Sequence, residues 1–110
     1  MTNIDIQQVF TSMVEAASGV FDKKWPGIKD YAEAEFKKLA ITFAQIETLK
    51  LSGQISEAEA SVLLEMQKNT TRAVMLALEG MSLLLVEEAI NAALAVVKDS
   101  INTVLGFALI

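Results

Sequence analysis

The chain has 110 residues, 53% of them hydrophobic, with nine basic and 14 acidic side chains, no cysteine, no histidine and a net charge of −5. The missing cysteines exclude disulfides, thiol catalysis and cysteine-ligated zinc. The missing histidines remove the commonest general base, the Ser-His-Asp arrangement and the Glu-x-x-His motif of di-iron bundles. Only Lys23–Lys24 and Lys37–Lys38 are adjacent among the basic residues; nucleic acid and anionic lipid, which attract clustered positive charge, are therefore not expected partners.

The length corresponds to a single domain, 1–110, which buries about two-thirds of its unfolded surface on folding. A mean hydropathy of +0.42 is high for so small a domain. The surplus of apolar residues calls for a subunit interface, a membrane or an apolar ligand. The opening MTNIDIQQVF carries Asp5 where a secretory leader has basic residues, so a cytoplasmic protein is expected.

A first helix is predicted over 3–24, where Ile6, Val9, Phe10, Met13, Ala17, Val20 and Phe21 recur at helical spacing. Trp25-Pro26-Gly27 ends it, because proline suits a first helical turn and disfavours helix in the residue before it. Trp25 is expected to plug that bend. A second helix, 26–52, carries Ala32, Phe36, Leu39, Phe43 and Ile46 inward, with Lys29, Glu33, Lys37 and Lys38 on its outer face. Gly53 fits the position just past its end, and Ser56 with Glu59 forms an S-x-x-E capping box for the next helix.

From Ser56 onward there is no proline. A walk of alternating four- and three-residue steps runs Val62, Met66, Asn69, Ala73, Leu76, Gly80, Leu83, Glu87, Ile90, Leu94, Val97, Ile101, Val104, Ala108, and 11 of these 14 positions are apolar. Such a repeat predicts a coiled-coil seam. One helix over the whole stretch would be about 75 Å long, so it either projects toward a partner or breaks near Lys68–Arg72, Gly80 or Lys98–Ser100. The expected fold is all-α: an antiparallel bundle of three long or four helices, 3–24, 26–52, 56–97 with a break, and 98–108, completed by self-association.

Within Ala73–Val97, 19 of 25 residues are apolar. A helix that is apolar around its whole circumference is enclosed on all sides. The candidate interface residues are Ala73, Leu76, Gly80, Leu83, Glu87, Ile90, Leu94, Val97, Ile101 and Val104. Gly80 and Gly106 read as sites of close helix approach, or as glycines in a run rich in the good helix former alanine. Glu87 is either a register device inside the seam or a rim charge paired with Arg72, Lys68 or Lys98. The uncharged ending Val104–Ile110 is expected to be docked.

No chemical site emerges. Glu15, Glu47, Glu79 and Glu87 border apolar stripes, but oxygen-only transition-metal sites without imidazole are uncommon. The methionines lack the spacing of a copper site, and no phosphate loop, calcium loop or nucleophile elbow occurs, so no metal and no cofactor are expected. The leading expectation is a non-enzymatic, self-associating helical protein, a dimer or tetramer, with a scaffolding, assembly or regulatory role. A membrane-active, pore-forming or holin-like protein is the runner-up, opposed by Glu87 and Glu88 in mid-stretch, where each charge costs about 2.5–3.5 kcal/mol. A bundle holding an apolar ligand among Phe36, Phe43, Met75 and Met81 is the third.

Overall fold

A computed structural model describes residues 3–110. It contains four helices, α1 (Ile6–Phe21), α2 (Trp25–Leu51), α3 (Glu57–Leu76) and α4 (Leu83–Leu105), with a single 3₁₀ turn, Asp22–Lys24, between the first two. The all-α antiparallel bundle expected from the periodicity is what forms. An uninterrupted helix from Ile6 to Leu51 would be about 69 Å long at 1.5 Å per residue, whereas the longest dimension of the molecule is 42 Å. The chain therefore reverses at Asp22–Lys24. Lys37 Nζ accordingly donates to Gln7 Oε1 at 3.4 Å, bringing the start of α1 beside the middle of α2. Each helix packs on the next, and α4 closes the ring against α1.

The helix ends are set by local chemistry. Asp5 accepts a hydrogen bond from the Gln8 N–H at 3.1 Å and starts α1. Pro26 sits in the first turn of α2, as its lack of an N–H allows. At the other end the Gln54 N–H donates to the Leu49 carbonyl at 2.9 Å and the Gly53 N–H to Lys50 at 3.1 Å, closing the last turn. The predicted capping box is present in both directions: Glu59 N–H donates to Ser56 Oγ at 3.1 Å, and Ser56 N–H donates to Glu59 Oε1 at 2.9 Å.

Where the long terminal stretch divides differs from the expected boundaries. α3 stops at Leu76 and α4 starts at Leu83, so 56–97 is not one helix. Of the three candidate break points only Gly80 is one. Lys68–Arg72 lies inside α3 and Lys98–Ser100 inside α4, because polar residues alone do not break a helix whose backbone bonds are made. Ser82 caps α4 by accepting from Leu85 N–H at 3.2 Å. Gly80 and Gly106 have φ of +79° and +80°. They serve a turn and a helix end, positions where a side chain strains the backbone, rather than close helix approach.

The core collects one face of every helix. Met13, Ala17 and Phe21 come from α1, Phe36, Leu39, Phe43 and Ile46 from α2, Ala60, Leu64 and Met75 from α3, and Val86, Ile90, Ala93, Val97 and Ile101 from α4. A fully buried side chain of this size contributes about 1.5–3 kcal/mol before conformational entropy is subtracted. Trp25 stacks on Phe21 with ring centroids 6.2 Å apart, at the bend it was expected to fill. The C-terminal residues fold back: the N–H groups of Leu109 and Ile110 donate to Asn102 Oδ1 at 2.9 and 3.1 Å, and Leu109 is buried. Among the described residues no helix is long and apolar enough to cross a membrane.

Candidate interaction surface

The break at 77–82 resets the helical phase, and the predicted seam splits into two halves with opposite fates. In α4 its members Ile90, Leu94, Val97 and Ile101 are buried in the chain's own core, where α4 packs on α1. Val104 is half-buried at the same contact. In α3, the turn and the first residue of α4 the members face outward: Val62 is 57% exposed, Met66 61%, Leu76 37% and Leu83 58%. Asn69, Ala73 and Gly80 are exposed as well. The expectation that Ala73–Val97 is enclosed on all sides is thus corrected. The stretch belongs to two helices, each burying one face.

The inward face of α3 consists of Ala60, Leu64, Thr71 and Met75. Stepping two residues along a helix rotates by about 200°, so a row starting at Val62 lies opposite a row starting at Ala60 or Leu64. Val62, Met66, Asn69, Ala73 and Leu76 therefore form a heptad-spaced stripe on the outside of the bundle. Beside it runs an open groove of about 700 Å³ between α2 and α3, lined by Ile41, Ala44, Leu49, Leu63 and Met66 among others. Three threonines in its walls use their hydroxyl donors on their own helix. Thr42 donates to the Lys38 carbonyl, Thr48 to Ala44 and Thr70 to Met66, at 2.8, 3.2 and 3.0 Å. Few polar donors are left there to orient a polar ligand.

Charged residues flank the stripe. Glu65 is paired with Lys68 at 3.2 Å. Arg72 binds Glu87 of α4 through Nε and donates from Nη1 to Asn69 Oδ1 at 2.6 Å. Glu87 is thus a rim carboxylate with one of the partners expected for it, not a charge buried within a seam. The other carboxylates considered for metal binding do not converge. Glu15 and Glu79 are exposed and Glu47 is fully buried. No group of three potential metal ligands forms among the described residues. Of the four residues expected to line a ligand pocket, Phe36, Phe43 and Met75 are fully buried in the core, Met81 is partly buried against it, and none of the four borders the groove.

Two features escaped the sequence reading. Glu47 accepts the backbone N–H groups of Asn3 at 2.8 Å and Ile4 at 3.1 Å, and so fastens the segment before α1 to the end of α2. Its place at the border of an apolar stripe is legible in the sequence, but its full burial is not, because its backbone partners, more than 40 positions away, carry no side-chain signature. Leu84, 71% exposed, also went unmarked, because a run of three leucines reads as core by composition alone.

No protein-family model matches this chain, and neither a curated protein nor a solved structure shows significant similarity to it.

Proposed function

We propose that this is a non-enzymatic helical protein that works by associating with further copies of itself, in a scaffolding, assembly or regulatory role. The observation that carries the reading is the exposed, heptad-spaced stripe on α3. A bundle that has already closed its own core has no internal use for Val62 and Met66, each more than half exposed. Stripes of this period are covered by a second helix in coiled coils. Sedimentation equilibrium in detergent-free buffer tests it. A discrete species at a small multiple of 11.9 kDa is expected. A monomer up to the highest soluble concentration would overturn the proposal.

A second reading, attachment to a membrane surface, has one observation in its favour. Leu83 and Leu84 project at the α3–α4 turn, with the Lys24 ammonium close to Gly80 in the same turn. Co-flotation with liposomes that is abolished by Leu84→Glu is the outcome this reading requires.

A further inference from the structure

Resting on the self-association proposed above, we infer that the occupant of the α3 stripe is α3 of a second copy, laid antiparallel about a two-fold axis at Asn69. The stripe is symmetric about that residue to within one position. Val62 and Leu76 lie seven positions to either side of it, and Met66 and Ala73 lie three and four. An antiparallel partner centred there sets Val62 against Leu76 of the second copy and the long Met66 side chain against the small Ala73. Asn69 meets its own copy. An amide at one seam position is a known device for fixing register. Asn69 already accepts from Arg72 through one lone pair of Oδ1, which leaves its –NH₂ to donate to the second lone pair of Oδ1 on the other copy.

Charge decides the direction. Glu65 and Arg72 each immediately precede a seam residue, Met66 and Ala73, and so lie on the same flank of the stripe. Antiparallel packing brings like flanks together, and Glu65 then faces Arg72 of the second copy, twice per dimer. Glu65 is paired through one oxygen with its own Lys68, and Arg72 binds its own Glu87 through Nε and its own Asn69 through Nη1. A parallel, in-register pair brings opposite flanks together, and the residues following the seam on that side, Thr70 and Ala77, carry no charge. More broadly, the acidic residues of α3 (Glu57, Glu59, Glu65) lie in its first half and its basic residues (Lys68, Arg72) in its second. A helix with that asymmetry complements itself only when reversed, and the two helix dipoles then oppose each other favourably.

The cysteine-free chain allows a direct test. Asn69→Cys places one thiol per copy at the axis, and mild oxidation is expected to convert the protein to a disulfide-linked dimer that keeps its helical circular dichroism. Val62→Cys alone is expected to stay unlinked, whereas a mixture of Val62→Cys and Leu76→Cys gives the mixed dimer. In a second arm, Glu65→Arg is expected to weaken association about tenfold or more by setting cation against cation at both flanks. The Glu65 side chain is 59% exposed and its one intrachain contact is the surface pair with Lys68, whose loss costs at most about 1 kcal/mol, so the variant keeps its fold. A self-linked Val62→Cys would show a parallel pair and overturn the inference. An oligomeric wild type whose Asn69→Cys variant does not cross-link, or whose Glu65→Arg variant associates normally, would place the contact elsewhere and leave self-association standing. A monomeric wild type overturns both.

Discussion

Glu47 and Glu35 are two buried carboxylates on one helix in contrasting situations. Glu47, with no exposed surface, receives backbone N–H donors from Asn3 and Ile4. Glu35, 3% exposed, accepts from Lys38 at 2.9 Å through Oε2, and its buried Oε1 has no hydrogen-bond donor among the described residues. A buried carboxylate is tolerated when donors surround it and costs stability when they do not. Glu47→Gln sets an –NH₂ among N–H donors, and the expected loss is about 2 kcal/mol, read as a lower midpoint in urea unfolding. An unchanged midpoint would show that the clamp on the N-terminal segment contributes nothing. Sequence patterning marks Glu47 as an acid at the border of an apolar stripe and does not single out Glu35. It does not reveal their contrast, because that depends on donors supplied by distant backbone.

At the scale of the element, the starts and stops were largely legible. Ser56 with Glu59, Gly53 and Pro26 act through bonds within a few residues, so their chemistry is fully contained in the local sequence. Ser56→Ala is expected to cost about 1 kcal/mol by removing the acceptor for Glu59 N–H, measurable by the same unfolding experiment. Because Ser56 lies outside the stripe, its loss should leave any association constant untouched. The α3–α4 boundary was less legible. Gly80 followed by Ser82 is a stop and a start, but the four-three repeat runs across both without interruption in the letters. Six residues of turn rotate the second half relative to the first. A periodicity that looks continuous in sequence is then two faces pointing in unrelated directions. This is why substitution of Ile90, fully buried against the chain's own helices, tests folding rather than association, while Val62, Met66 and Glu65 test association.

At the scale of the whole molecule, the bundle is closed by its C-terminal residues as well as by its helices. Asn102 holds Leu109 and Ile110 against α4, and Leu109 joins the core cluster. Asn102→Ala is expected to free these residues, raising the hydrogen-exchange rates of the Leu109 and Ile110 amides and costing about 1 kcal/mol. Retained protection would show that apolar contact alone seats the tail. Composition and periodicity by themselves determined that this chain is a helical bundle, that most of its helix ends lie where they do, and that it has more apolar side chains than one small core needs. Those properties follow from local backbone chemistry and from the ratio of apolar to polar residues. Tertiary structure decided which surplus residues are spent inside and which remain outside. Burial on α3 depends on which face its neighbours cover, and that follows from the reversal at Asp22–Lys24 and the phase shift at 77–82. Packing three-dimensionally around α1 absorbed the α4 half of the repeat and left the α3 half, centred on Asn69, facing outward.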